Sequence, residues 1–233
     1  MTASLITTRG TELLDRPDAD PRLVEVNLRN IARANRWLGG RRALAWGLHR
    51  LQRHLPRGSR LSLLDIGTGY GDLPLYAARW GRRHGLDIVP IGLERIPVAA
   101  RIAAANGLPT MLGCASAFPV RPKSVDLVLV SQVVHHFTRD AAAELLRACD
   151  RLARRAVIVV DLLRSRAAAL GFHLGGRLLA FDGTTMADGL TSIERGLSAP
   201  ELAAVLRAAG VTGQVRRVAP FRLVATWRTE ARP

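Results

Sequence analysis

Three groups of residues in this chain have the types and spacing to do chemistry. The first is Asp65-Ile66-Gly67-Thr68-Gly69-Tyr70-Gly71, an acid and three alternating glycines closing an apolar run (Leu61, Leu63, Leu64, Ile66). Glycines at such a turn permit unusual backbone angles and let a ligand approach where a side chain would block it. The second is Glu94, at the end of Asp87-Ile-Val-Pro-Ile-Gly-Leu. A carboxylate after a second strand can accept both hydroxyls of a ribose, or it can cap the helix that starts near Pro97. The third is His135-His136, following Ser124–Val130. Unperturbed histidine titrates near neutral pH and suits proton abstraction. On an extended strand end only one of two neighbours points at a cleft, which leaves the other a structural role. Asp161, closing a later apolar run, is a second candidate base, or an organiser of the turn at Arg164.

Spacing narrows the ligand. A dinucleotide turn needs glycine at position 72, where this chain has Asp72, and no G-x-x-x-x-G-K-[ST] phosphate loop occurs. G-x-G-x-G behind an acid resembles motif I of the class I S-adenosylmethionine-dependent methyltransferases, whose cofactor carries a sulfonium cation and no phosphate. Gly113-Cys-Ala-Ser-Ala-Phe-Pro119, Ser124-Val-Asp-Leu-Val128 and the strand-end His135-His136 are similar to later motifs of that family, and the likeness runs over Leu61–Trp227. The resemblance implies S-adenosylmethionine as cofactor, held by Asp65, Gly67, Thr68, Gly69, Gly71, Glu94, Arg95, Ala115, Ser116 and Ser131. It implies His135 or His136 as the base. One position departs from the pattern. Cys114 stands where the family has an aspartate for the adenine amino group, leaving backbone groups around Ala115 and Ser116 to read adenine.

Elements that could position these residues alternate along the chain. Apolar runs predict strands near 61–66, 87–93, 109–113, 125–130 and 156–161, with helices near 71–84, 97–106, 139–153 and 164–181. Alternation of this kind predicts an α/β, Rossmann-like, doubly wound and mostly parallel sheet. Ser198 caps a last helix over Pro200–Ala209, and Gln214–Val218 with Arg222–Trp227 form a closing antiparallel hairpin. By the resemblance the sheet has seven strands. Residues 1–57 read as an N-terminal helical cap, from Pro21–Trp37 and RRALAWGLHRLQRHL, ahead of a core over 58–233. Those helices fit ordinary core packing, a lid over the cofactor cleft, or contact with an anionic membrane surface. A substrate-side insertion near 164–197 combines an apolar helix with a long polar loop, FDGTTMADGLTS.

Composition sets the remaining bounds. The chain has 233 residues and a formal net charge of +15, nearly all of it arginine with Lys123 the single lysine. One-sided arginine usage points to compositional bias more than to phosphate recognition, and the charge is spread along the chain. Nucleic acid is therefore a disfavoured partner. Ser131-Gln-Val-Val134 stands where enzymes methylating nucleobase amines have N/D-P-P-Y/F, and no Pro-Cys pair occurs. Two cysteines without metal or disulfide spacing predict a reducing cytoplasm and no metal. The first residues lack a signal-peptide pattern, and no run of about eighteen apolar residues occurs.

The opening segment, LDRPDADP through NRWLGGRRAL, resembles bacterial methyltransferases of phenolic or polyketide-derived acceptors. The expected function is methyl transfer to a small or lipid-like aromatic acceptor, quinone precursors included. An RNA methyltransferase and a non-catalytic cofactor-binding protein are the alternatives.

Overall fold

The computed structural model describes residues 10–16, 18–115 and 118–229. Its sheet is built from β1 (Arg60–Ile66), β2 (Asp87–Glu94), β3 (Thr110–Leu112), β4 (Val125–Ser131), β5 (Ala153–Leu162), β6 (Gln214–Val218) and β7 (Arg222–Arg228). In the middle of the sheet β1, β4 and β5 are apolar on both faces, with Leu63, Leu64, Leu127, Val128, Leu129, Ile158 and Val159 essentially inaccessible. Strands buried on both sides read as continuous apolar runs, and this is what parallel packing between helical layers demands. The order is β3-β2-β1-β4-β5-β7-β6, seven strands as expected. All neighbours are parallel except β7, which runs antiparallel to both β5 and β6.

The order in which strands are added reverses between β1 and β4, which places a crevice at their carboxyl ends. One face is covered by α3 (Asp72–Arg83) and α2 (Gly40–Gln52), through Leu44, Leu48 and Trp80 against Leu61 and Ile158. The other is covered by α5 (Arg139–Leu152) and α8 (Ala199–Ala208), through Leu146, Leu202 and Val205 against Val128 and Val157. The remaining helices are α1 (Pro21–Trp37), α4 (Pro97–Ala105), α6 (Arg166–Leu178) and α7 (Gly183–Arg195).

Local signals account for most of these boundaries. Asp20 caps α1 by accepting from the Arg22 amide at 2.7 Å, with Pro21 at the first helical position. Ser198 and Glu201 form a reciprocal capping box on α8.

Three expectations need correction. The segment read as a long polar loop is mostly helix α7, capped by Asp182 through the Thr185 amide at 3.0 Å. Its Gly189 is no turn signal. A Cβ there would lie 2.1 Å from Cζ of Phe172, so the glycine exists to let α6 approach α7. Second, α2 of the 1–57 segment belongs to the sheet-covering layer, while α1 stands over the crevice. Third, the histidine pair lies on a 3-10 turn, Val134–His136, and not on extended backbone, so both residues face the crevice.

Candidate active site

A cavity of about 610 Å³ opens at the carboxyl ends of β1, β2, β4 and β5. Its floor is the glycine-rich turn, where Gly67, Gly69 and Gly71 have φ of +69°, +54° and +78°. Two requirements meet at Gly67: a left-handed φ, and a Cβ position only 2.7 Å from Cγ2 of Val133. Gly67, Thr68 and Gly69 line the cavity. Gly71 does not line it. Its missing side chain makes room for Leu108 at 3.1 Å, so its part in the site is to shape the turn.

The acids are held in place by the backbone around them. Glu94 accepts from the Gly69 amide at 2.9 Å through one oxygen, and from the Arg95 and Ile96 amides at 2.8 and 3.0 Å through the other. The oxygen that accepts from Gly69 keeps a second lone pair, so the group can still receive a hydroxyl. Asp65 accepts from the Thr68 hydroxyl at 2.7 Å, while its other oxygen has no partner among the described residues. Burial, with Asp72 and Glu94 nearby, pushes the Asp65 carboxyl up to about 8. Ser131 ends β4 with its hydroxyl buried and without a partner among the described residues. Cys114, Ala115 and Arg95 line the cavity, whereas Ser116 lies outside the described residues. These open acceptors, a glycine cradle and an acid at the second strand's end fit a nucleoside bearing a cation.

The histidines also line the cavity. Nδ1 of His135 is 2.7 Å from Oδ1 of Asp161, which also accepts from the Leu162 amide at 2.7 Å. Burial opposes ionisation of Asp161, but the charge and hydrogen bond of His135 and the Leu162 amide outweigh it and hold the carboxyl below its usual range. With Nδ1 committed to a carboxylate, Nε2 is the free lone-pair nitrogen. It is buried, has no hydrogen-bond partner among the described residues, and lies 4.0 Å from Glu12.

His136 stacks beside its neighbour at 4.2 Å between ring centroids and faces Asp15 at 3.5 Å. Arg195 of α7 ties this end shut, donating to Glu12 at 3.0 Å and Asp15 at 2.9 Å. Burial lifts the Glu12 carboxyl above the usual range despite His136 and Arg195. Sequence reading offered no signal for Glu12, Asp15 or Arg195, because each acts on residues far away in the chain.

α1 roofs the cavity with Leu28, Ile31, Ala34 and Leu38, and its buried asparagines fasten it. Asn27 donates to Asp188 and Asn30 to Asp182, at 2.9 and 3.0 Å, joining α1 to α7. Asn35 donates to Asp72 at 3.2 Å and accepts from Gln132 at 2.9 Å, joining it to the glycine turn and to β4. Gln132 holds a left-handed φ of +53° to make that contact. Phe172, Phe181 and Phe221 supply the apolar wall from α6, α7's entry and the β6–β7 turn.

Comparison with known proteins agrees with this geometry. Residues 64–160 match the methyltransferase domain family. No curated protein matches the chain. Among solved structures, the plantazolicin methyltransferase, determined with S-adenosylhomocysteine, aligns at TM-score 0.67 and 14% identity, over 94% of this chain and 93% of that one. The mitomycin 7-O-methyltransferase aligns at TM-score 0.63 and 23% identity over 94% of this chain, which spans 61% of its length. A methyltransferase from Aquifex aeolicus aligns at TM-score 0.55 and 15% identity, over 91% and 99% of the two chains.

Proposed function

We propose that this chain, which carries a class I S-adenosylmethionine-dependent methyltransferase domain, methylates a small, aromatic and partly apolar acceptor at a site based on His135. The observation that carries the reading is the His135–Asp161 pair: a buried imidazole oriented by a carboxylate at 2.7 Å, with its other nitrogen free in the cavity. Asp65, Thr68, Glu94 and the Gly67–Gly69 backbone are the residues that would hold the cofactor, with Ser131 and Ala115 beside them. When bound, the cofactor supplies an electrophilic methyl group and leaves as a neutral thioether.

The rest of the chemistry belongs to the protein. Nε2 of His135 takes the proton of an acceptor hydroxyl, so that the oxygen attacks as a phenolate. Asp161 keeps the imidazole in the required tautomer and offsets the charge it gains. α1, fixed by its asparagines, roofs the acceptor, and Phe172, Phe181 and Phe221 select an apolar ring. The mitomycin 7-O-methyltransferase, which methylates an oxygen, supports this class, and quinone precursors and polyketide-derived phenols are the specific candidates. Ser131-Gln-Val-Val134 in place of N/D-P-P-Y/F argues against methylation of a nucleobase amine.

A lipid-like acceptor is favoured by one further observation. α6 lines the cavity with Phe172 while exposing Leu170, Leu174 and Leu178, the last at 88%. An apolar stripe on a basic protein suits peripheral contact with an anionic membrane. No helix among the described residues is long and apolar enough to cross one.

Isothermal titration with S-adenosylhomocysteine tests the cofactor, and turnover on phenols and hydroquinones tests the acceptor class. Micromolar binding together with methylation of a phenol is the expected result. No binding at millimolar cofactor refutes the proposal.

A further inference from the structure

One cation in the cavity has no part in the chemistry above. Arg222 opens β7 and pairs with Leu162 in the antiparallel ladder, so it stands at the carboxyl edge of the sheet next to Asp161 in the β5 register. It lines the cavity and is only 5% exposed. Its Nε is buried without a hydrogen-bond partner, and no described residue forms an ion pair with its guanidinium. Arg95, which also lines the cavity, donates to the Leu14 carbonyl at 3.1 Å, and Arg195, outside the lining, donates to Glu12 and Asp15.

A buried guanidinium is costly to keep. It remains charged in the folded protein, with burial lowering it only to about 10 while Asp161 and Asp72 act on it from a distance. On its own face of the sheet its register partner Leu162 and the next residue Val224 are apolar and buried, so a hydrophobic side chain would pack at this position without that cost. What an arginine offers here, and a hydrophobe does not, is a planar fork of donors matched to an oxyanion.

We infer that Arg222 is an anion-recognition residue, and that the acceptor presents a carboxylate or phenolate oxygen to its guanidinium. The assignment to the acceptor rests on the methyltransferase reading; the anion site itself rests on the buried, unpaired guanidinium. Strand order favours the acceptor as the source. β7 lies three strands from β1 in the sheet, about 14 Å at ordinary strand spacing, and on the far side of β5 from the glycine turn. The methionine carboxylate of the cofactor is the other source of the same chemistry.

Two matched pairs of probes separate these sources in the full chain: salicylate against salicylamide, and S-adenosylhomocysteine against 5′-methylthioadenosine. Each is titrated calorimetrically into wild type, Arg222→Met and Arg222→Lys, with thermal unfolding measured alongside. Arg222→Met is expected to unfold at a higher temperature than wild type without ligand. It is also expected to lose at least tenfold in affinity for salicylate while treating salicylamide as wild type does, with Arg222→Lys between the two. The same selective loss for S-adenosylhomocysteine alone would support the anion site and give it to the cofactor. Unchanged ratios for both pairs, including a wild type that binds no salicylate, overturn the inference. So does an Arg222→Met protein less stable than wild type combined with an Arg222→Lys protein that binds every probe normally. A wild type that binds neither nucleoside overturns the methyltransferase reading instead, while the salicylate pair still reports on Arg222.

Discussion

Replacing Asp65 by asparagine removes a buried acid whose folded-state titration is displaced from 3.8 to about 8. A carboxyl raised in this way binds its proton more tightly when folded than when unfolded. Its contribution to stability is fully present below the unfolded value and is lost as pH climbs through the folded one. At about 1.4 kcal/mol per pH unit, that gap is on the order of 6 kcal/mol once the group is fully ionised. The cavity above the turn admits water, and relaxation lowers such penalties, so about 2–3 kcal/mol is a fairer expectation. Asparagine keeps the acceptor that the Thr68 hydroxyl uses.

The difference in stability between Asp65→Asn and wild type should therefore grow in favour of the variant between pH 5 and 9. For a chain of this size the growth corresponds to roughly 5–10 °C in unfolding temperature. Thermal unfolding by circular dichroism across that pH range measures it. A difference that stays flat with pH would refute the reasoning, whatever its sign, because it would mean that Asp65 titrates like an exposed aspartate.

Other expectations follow from the same geometry. His135→Ala should lower turnover by about 10²–10⁴ with little change in cofactor affinity, and Asp161→Asn should approach that loss by misorienting the ring; unchanged turnover in both removes the base assignment. Glu94→Ala should weaken S-adenosylhomocysteine binding at least tenfold by calorimetry, since it deletes both a ribose acceptor and the anchor of the Gly69 amide. Gly189→Ala should destabilise the chain by about 1–3 kcal/mol through overpacking against Phe172, read as a lower midpoint in urea; a neutral result would show that α6 and α7 can separate. Leu174→Glu with Leu178→Glu should reduce co-sedimentation with anionic vesicles without shifting the unfolding temperature, both residues being exposed.

Much of the fold was legible in the residues. Strands β1, β4 and β5 announce themselves as apolar runs because both of their faces are buried, and a run of that kind has few other places to go. The glycine turn was equally plain, since three alternating glycines behind an acid answer a local backbone demand. Glu94 and the histidine pair followed from being strand-end neighbours of that turn. Where sequence reading erred, the cause was contact between distant residues. Gly189 and Asp182 look like loop residues until Phe172 and the Thr185 amide are beside them. The asparagines of α1 carried no signal, since their partners lie on α7 and at Asp72.

What the sequence determined by itself was most of the element order, the parallel sheet and the glycine-rich turn, because these depend on local periodicity and on turns a few residues long. Tertiary structure alone brought together the groups beyond β4. Asp161 meets His135 across 26 residues, Arg195 meets Glu12 across 183, and Arg222 reaches the cavity only because β7 inserts antiparallel beside β5. A buried charge acquires its meaning from what surrounds it, and those surroundings are assembled by folding.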